Sequence, residues 1–176
     1  MPTAFALRLS RSMKIAGSSL LALAVLFACQ FAAVAPAHAS SLSSPQAAAE
    51  AARGARIAGT ALDLVGARYR FGGSSPRAGF DCSGFVYYVM QASGIAVPRS
   101  AANQYYNGGQ RVATSDLQPG DMVFFSNTYK RGISHAGIYI GNGKFVHAES
   151  ERTGVRVSNL WSAYYASHYT GAVRPR

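Results

Sequence analysis

Apolar residues recur at helical spacing in several stretches of the chain between residues 44 and 105. A Ser-Pro pair at 44–45 supplies an N-cap and a first-turn proline, and the alanine-rich pattern that follows predicts a helix over 45–65. Asp81 is an N-cap for a second helix, whose apolar positions three and four residues apart stop at Gly94. A short third helix is expected over 100–105.

From residue 122 onward the pattern changes to short apolar runs separated by glycine turns. Strands are predicted at 122–125, 135–140, 144–148, 155–157 and 169–174. A helical turn is expected before the last strand, at 160–165. Helices followed by an antiparallel sheet predict the α+β fold class.

The N-terminus has the pattern of an export signal. Basic residues precede an apolar run at 15–37 that holds no charge, so we predict a signal over 1–39 that is cleaved after Ala39. A Leu-Phe-Ala-Cys box ending at Cys29 makes lipidation there an alternative, and an uncleaved anchor is another. The expected location is periplasmic, with membrane contact only if Cys29 is lipidated or the signal is retained. A protein lipidated at Cys29 would be an outer-membrane lipoprotein.

The remainder is predicted to be one domain over 52–176, after a short flexible lead over 40–51. A length of 176 residues with 49% apolar residues excludes a disordered tail, a collagenous chain and a coiled coil. The 17 Lys and Arg residues exceed the 7 Asp and Glu residues. They are scattered, with 130–131 the only adjacent pair after residue 40. An acidic polymer is therefore favoured as partner, and no nucleic acid is expected.

Cys82 is the only cysteine outside the predicted signal, so it has no intramolecular disulfide partner. It follows Asp81 at the predicted start of the second helix, where unpaired backbone N–H groups stabilise a thiolate. The Asp81 carboxylate opposes this effect, so we expect a cationic histidine to supply most of the activation. A small buried cysteine without chemistry is the alternative.

His135 and His147 are the candidate partners of Cys82. Of the other histidines, His38 lies in the predicted signal and His168 has no motif around it. His135 would be the general base, and His147 would hold its tautomer, where papain-like enzymes often use Asn. The same three side chains could bind zinc with an open fourth position, although no short-spaced ligand pair supports a metal site.

The hairpin between the two histidines decides whether they meet. A two-residue turn within Gly-Asn-Gly at 141–143 would send the imidazoles to opposite faces of the sheet. A three-residue loop would pair residues 140 and 144, place His147 opposite Gly137, and leave it diagonal to His135 on the same face. We predict the second register, since a glycine between two imidazoles leaves them room to approach.

Several short motifs follow one another in order along the chain. They are YRFGG at 69–73, GFDCSGFV at 79–86, PRS at 98–100, GD at 120–121, SHAGIYIG at 134–141 and FVHA at 145–148. Over about 59–174 the chain resembles the NlpC/P60 cysteine peptidases, and within them the Spr-type murein endopeptidases. The resemblance implies a papain-like fold, with N-terminal helices packed on a central antiparallel sheet. It also implies a Cys-His-His triad of Cys82, His135 and His147 that hydrolyses amide bonds of peptidoglycan stem peptides or cross-links, without a cofactor.

The resemblance assigns further residues to the site. It implies that the Tyr69 hydroxyl supports the oxyanion, and that Asp81, Ser83, Arg99 and Ser100 line the substrate cleft. The scissile bond stays open between the D-glutamyl to diamino-acid bond and the D-alanyl to diaminopimelate cross-link. A wall-peptide-binding module without catalysis, and acyl transfer on the same triad, stay open as other functions.

Overall fold

The computed structural model describes residues 44–176. The predicted signal, Cys29 and the processing site after Ala39 therefore lie outside the described residues. The helices are α1 (Pro45–Leu62), α2 (Cys82–Ala92), α3 (Ala101–Asn107) and α4 (Ala163–His168). The strands are β1 (Ser74–Ser75), β2 (Gly79–Phe80), β3 (Gly109–Val112), β4 (Met122–Ser126), β5 (Ile133–Gly141), β6 (Lys144–Ser150), β7 (Gly154–Asn159) and β8 (Tyr169–Pro175).

The strands β3 to β8 form one six-stranded antiparallel sheet in the order β3-β8-β4-β5-β6-β7. The first two strands, β1 and β2, pair as a separate two-stranded ribbon before α2. Helices α1, α2 and α3 all pack on β5. The predicted α+β fold, with N-terminal helices on a central antiparallel sheet, is confirmed.

The sheet has a different apolar layer on each face because neighbouring strand residues point to opposite sides. Phe124 and Ile138 belong to the layer shared with the N-terminal helices. Phe125 and Phe145 belong to the opposite layer, which Tyr165 of α4 completes. The second layer is strongly aromatic, and it surrounds the candidate histidines.

Helix α1 begins as predicted but ends three residues early, at Leu62. The Ser44 hydroxyl caps it by accepting a hydrogen bond from the Ala47 amide at 3.2 Å. After the helix, Gly66 adopts a φ of 91° and its amide donates to the carbonyl of Val155 at 2.8 Å. The helix starts inside the region 40–51 assigned to a lead, and the domain boundary at 52 stays a prediction. Within 44–176 no helix is both long and apolar enough to cross a membrane.

The β5–β6 hairpin has the predicted register except at its tip. Ile138 pairs with Val146, as a three-residue loop requires. The predicted pairing of residues 140 and 144 is wrong, because Gly141 pairs with Lys144 and the register shifts between Tyr139 and Gly141. The turn itself has two residues, Asn142 and Gly143, with φ angles of 52° and 68°. A bulge thus combines the favoured two-residue turn with the register that puts both histidines on one face.

Candidate active site

Cys82 is the first residue of α2, and local hydrogen bonding explains why the helix starts there. Asp81 is the N-cap, and its Oδ1 accepts a hydrogen bond from the Gly84 amide at 2.6 Å. The Cys82 Sγ lies 3.8 Å from the carbonyl oxygen of Ser134, and the amide of Ala136 donates to the same sulfur. The thiol therefore lies against the backbone on both sides of His135.

The environment of the thiol favours its protonated form. Burial raises the pKa of Cys82 to about 11, and the Asp81 carboxylate adds to the rise. The backbone N–H groups of Ala136, Ser83 and Cys82 act in the opposite direction and hold negative charge on the sulfur. The helix start therefore supplies stabilisation of a thiolate without making the thiolate the resting form.

A polar cluster on the other side of Cys82 fixes the loop before the helix. Arg99 donates to Asp81 Oδ2 at 2.8 Å and to Oδ1 at 3.0 Å. The same guanidinium donates to Ser83 Oγ at 2.9 Å and to the Gly73 carbonyl at 3.1 Å. Burial pulls the pKa of Asp81 upward, but hydrogen bonds from Arg99 and Gly84 outweigh it and leave the pKa lowered. Arg99 and Asp81 thus form a fork-shaped ion pair that ties the loop to α2.

The two predicted partners of Cys82 meet inside the aromatic layer. His135 Nε2 and His147 Nδ1 are 2.7 Å apart, with the ring planes at 90°. A Cβ on Gly137 would lie 2.7 Å from a ring carbon of Phe145 and 3.1 Å from the Cβ of His147. Only glycine therefore leaves the space in which the imidazoles approach each other.

Both imidazoles are held in the neutral form. Burial lowers the pKa of His135 to about 4, against a smaller opposing effect of Glu149. Burial also lowers the pKa of His147, and the His135 and Arg156 charges act in the same direction. A cationic histidine beside the thiol is expected from the sequence. Both histidines are neutral instead, because burial disfavours the charged form of each ring.

A second set of polar groups holds the outer nitrogen of His147. Ser158 Oγ lies 2.9 Å from His147 Nε2, and the Tyr165 hydroxyl lies 3.4 Å from it. Tyr165 donates its own proton to Glu149 Oε1 at 2.8 Å. Sequence reasoning missed these three residues because no motif marks them. Glu149 lies at a shift in the β6–β7 register, and Tyr165 reaches the pair from α4.

Two cavities adjoin these groups. The sulfur-side cavity, about 490 Å³, is lined by Cys82, by Tyr69, which was predicted to support the oxyanion, and by Tyr129 and Lys130. All four residues predicted to line the cleft also line it: Asp81, Ser83, Arg99 and Ser100. The histidine-side cavity, about 440 Å³, is lined by Thr128, Tyr129, His135, Glu149, Tyr164 and Tyr165. Tyr129 lines both cavities, whereas the fully buried His147 lines neither.

Ser100 also has a structural role, and Tyr69 has a shifted pKa. Ser100 is the N-cap of α3, where its Oγ accepts from the Asn103 amide at 3.4 Å. Burial raises the pKa of Tyr69 to about 12, and the Cys82 and Asp81 charges add to the rise. The Tyr69 hydroxyl therefore stays protonated and can donate a hydrogen bond into the sulfur-side cavity.

The zinc alternative finds no support in this geometry. Among residues 44–176, no three His, Cys, Asp or Glu side chains converge on a point where a metal ion could sit. His135 and His147 instead direct one nitrogen each at the other.

Two proteins with established names are similar in sequence to this chain. The γ-DL-glutamyl hydrolase of Bacillus subtilis is 53% identical over 111 residues, which cover 62% of this chain and 26% of that protein. The murein DD-endopeptidase MepH of Escherichia coli is 42% identical over 117 residues, which cover 64% of this chain and 42% of that protein. The chain therefore spans less than half the length of these two relatives.

Solved structures agree with the sequence relatives. The crystal structure of an NlpC/P60 family protein from Bacillus cereus superposes with a TM-score of 0.65 at 32% identity. The superposition covers 69% of this chain and 40% of that chain. The family model described as the NlpC/P60 family matches residues 66–174, well over half of the sequence. This protein belongs to the NlpC/P60 family.

Proposed function

We propose that this protein is a peptidoglycan endopeptidase that hydrolyses amide bonds of stem peptides or cross-links with a Cys-His-His triad. Cys82 is the nucleophile, His135 the general base and acid, and His147 the residue that orients His135. One observation carries the proposal most strongly. The buried thiol at the start of α2 lies against the backbone on both sides of His135, whose ring is joined to His147 at 2.7 Å.

The contacts around His147 accommodate the tautomer that this chemistry needs. His147 Nε2 faces two hydroxyl oxygens, those of Ser158 and Tyr165, and the Tyr165 proton is already donated to Glu149. Nε2 of His147 can therefore carry the proton and donate it to these oxygens, which leaves Nδ1 as an acceptor. His135 then donates its Nε2 proton to His147, and its Nδ1 is free to take the thiol proton.

The reaction then follows from the proton positions. As the sulfur attacks the scissile carbonyl carbon, its proton moves to His135 Nδ1, and the carbonyl oxygen gains the negative charge. The backbone N–H of Cys82 and the Tyr69 hydroxyl are the proposed donors to that oxyanion. His135 next protonates the leaving nitrogen as the C–N bond breaks. It then takes a proton from water, which attacks the thioester and releases the acid and the Cys82 thiol.

Burial favours a resting state in which the Cys82 thiol and the His135 imidazole are both neutral, so that His135 can act as the general base. A pKa of about 11 for Cys82 and about 4 for His135 means that neither is charged before substrate binds. During attack the positive charge appears on His135 and the negative charge on the carbonyl oxygen, while the amides of Ala136 and Ser83 stabilise the sulfur as its proton leaves.

The relatives and the charge of the chain support a cell-wall substrate. The two relatives above are named a γ-DL-glutamyl hydrolase and a murein DD-endopeptidase, which are two different hydrolytic specificities. The full chain has 17 Lys and Arg residues against 7 Asp and Glu residues, and this positive net charge favours binding to a polymer with free carboxylates. A peptidoglycan substrate agrees with the export predicted for 1–39, and we propose that the protein acts in the periplasm.

Digestion of purified cross-linked muropeptides tests this function. The protein and its Cys82→Ser variant are incubated with the substrate in heavy-oxygen water, and products are identified by mass spectrometry. Loss of dimers with gain of monomers by the unaltered protein alone indicates cleavage of cross-links. Cleavage within one stem by the unaltered protein alone indicates the D-glutamyl bond. One heavy oxygen atom in the new carboxylate identifies hydrolysis.

Three results would contradict the proposal. Equal cleavage by the unaltered protein and by Cys82→Ser would show that Cys82 has no part in the reaction. Products without heavy oxygen would indicate acyl transfer to another acceptor. Binding of muropeptides without any product would indicate a non-catalytic module.

A further inference from the structure

We propose that the histidine-side cavity binds the substrate residue on the amine side of the scissile bond, and that Glu149 there recognises a free ammonium group on that residue. This inference rests on the proposed function. Nothing in the sequence motifs assigns Glu149, Tyr164 or Tyr165 to the site.

The direction of the substrate follows from the proton transfer. His135 protonates the leaving nitrogen, so the amine-side residue must pass beside His135. His135 lines the histidine-side cavity, whereas Cys82, which holds the acyl group, lines the sulfur-side cavity. Tyr129 lines both, so the scissile bond lies close to Tyr129 with one half of the substrate on each side.

The size and lining of the histidine-side cavity suit an ammonium-bearing residue. A volume of about 440 Å³ is large enough for one amino-acid residue of a peptide. Among the described residues that line this cavity, Glu149 is the only one with a formal charge. Tyr129 and Tyr164 are 62% and 52% exposed, and tyrosine ring faces attract ammonium groups.

Glu149 keeps acceptor capacity for such a group. Its Oε1 accepts from Tyr165 at 2.8 Å, and its Oε2 lies 3.3 Å from a nitrogen of Arg156, which is half exposed and does not line the cavity. Burial raises the pKa of Glu149, but hydrogen bonds from Thr153 and Tyr165 and the Arg156 charge outweigh it and leave the pKa lowered. The carboxylate is ionised at neutral pH, and two oxygens offer about four acceptor positions.

The opposite half of the cleft has the opposite excess of charge. Arg99 and Lys130 line the sulfur-side cavity, with Asp81 as the acidic residue among them. An acyl-side residue with a carboxylate and an amine-side residue with an ammonium would therefore both match their cavities. A diamino acid bound through one amino group keeps the other as an ammonium. Glu149 thus favours the D-glutamyl to diamino-acid bond of stems whose second amine is free. A cross-link formed through that amine acylates it and removes the positive charge.

Matched peptides test this specificity. Two synthetic stem peptides differ only in the diamino acid after the scissile bond, whose second amine is free in one and acetylated in the other. The ratio of their kcat/KM values is measured for the unaltered protein, for Glu149→Gln and for Tyr165→Phe. We expect the unaltered protein to prefer the free amine about fivefold, the upper end for an ion pair near the protein surface. The ratio should fall towards one in Glu149→Gln and persist in Tyr165→Phe, even where both rates fall.

The ratio separates recognition from a role in holding His147. A ratio near one in the unaltered protein overturns the inference without any variant. A Glu149→Gln variant that slows both peptides equally and keeps the preference also overturns it, because Glu149 would then act through Tyr165 alone. If the unaltered protein cleaves neither peptide nor any muropeptide, the proposed function itself fails, and that outcome is distinct from cleavage without preference.

Discussion

The two halves of the cleft are built by different physical means. Cys82 is positioned by a helix cap and by an ion pair in which Arg99 remains 38% exposed. His135 and His147 are positioned by strand register within a buried aromatic layer, where the Phe145 ring stacks on His147 at 4.5 Å. The sulfur-side half therefore depends on hydrogen bonds of nearby residues, and the histidine-side half depends on packing and on long-range pairing.

This difference implies that the halves fail in different ways. Loss of a polar partner beside Cys82 leaves a carboxylate without its counter-ion, which costs stability. Loss of space or of a hydroxyl beside His147 displaces the imidazole pair from its reactive geometry. Such a displacement lowers the rate of the reaction. Substitutions in each half, combined with separate measurements of stability and kcat/KM, can break or sharpen the comparison.

The largest effect on stability is expected at the ion pair. Arg99→Ala removes four hydrogen bonds and leaves Asp81, whose side chain is 12% exposed, without a cation. We expect a loss of about 3 kcal/mol in the free energy of unfolding, measured by urea denaturation. Arg99→Lys keeps the charge and should recover part of the loss, because one ammonium cannot reproduce the fork. A loss below about 0.5 kcal/mol in Arg99→Ala would show that the pair is an ordinary surface contact.

A smaller loss of stability, with a large loss of activity, is expected at the glycine between the strands. The Cβ of Gly137→Ala would lie 2.7 Å from the carbonyl oxygen of Val146, so β5 and β6 must separate or His147 must move. We expect a loss of about 2 kcal/mol in stability together with a fall in kcat/KM. Gly59→Ala is the matched control, since its Cβ meets nothing within 4 Å in α1, and helix propensity should make it neutral or stabilising. Unchanged activity in Gly137→Ala would contradict the account of the imidazole pair.

Much of the sulfur-side half could be predicted from the sequence. Asp81 followed by helical apolar spacing predicted α2 and the place of Cys82, because a cap and a helix are local features. The hairpin register could also be worked out, apart from the bulge before Gly141, since only one register places both histidines on one face.

The histidine-side half could be predicted only in part. Ser158 reaches the site across the β6–β7 pairing, and Glu149 lies at a shift in that pairing. Both positions depend on packing across the sheet. Strand β3 was also missed, because its residues are mostly exposed and lack an apolar alternation. The sequence could not predict that the histidines are neutral, because the burial that lowers the pKa of His135 depends on the whole fold.

Removal of the hydroxyl beyond His147 is expected to lower the rate with little loss of stability. Ser158→Ala deletes the oxygen 2.9 Å from His147 Nε2 and leaves the longer Tyr165 contact. We expect kcat/KM to fall about fivefold, because one hydrogen bond that fixes a tautomer contributes on the order of 1 kcal/mol. Ser158→Thr retains the hydroxyl and should recover most of the rate. Equal losses in the Ala and Thr variants would show that the site needs the serine for its size alone.

The smallest expected effect concerns pH. Protonated His135 cannot accept the thiol proton, so activity is lost as the pH falls through its pKa, which burial lowers to about 4. We therefore expect kcat/KM to change less than about twofold between pH 7 and 5.5, where an ordinary histidine would cost about tenfold. The free energy of unfolding must be measured at the same pH values. In the unfolded chain these histidines take up protons below about pH 6.5, whereas in the folded protein they do not, so unfolding becomes easier as the pH falls. An acid limb near pH 6.5 in folded protein would contradict the neutral buried pair.

A double-mutant cycle on the two halves tests the central claim most directly. The values of kcat/KM on cross-linked and single-stem muropeptides are compared for the unaltered protein, Cys82→Ser, His135→Ala and the double variant. If Cys82 and His135 act as one catalytic unit, each single variant loses about as much activity as the double variant, by roughly a thousandfold or more. Losses that multiply, or a Cys82→Ser variant that remains active, would contradict the claim that the two halves of the cleft serve one thiol mechanism.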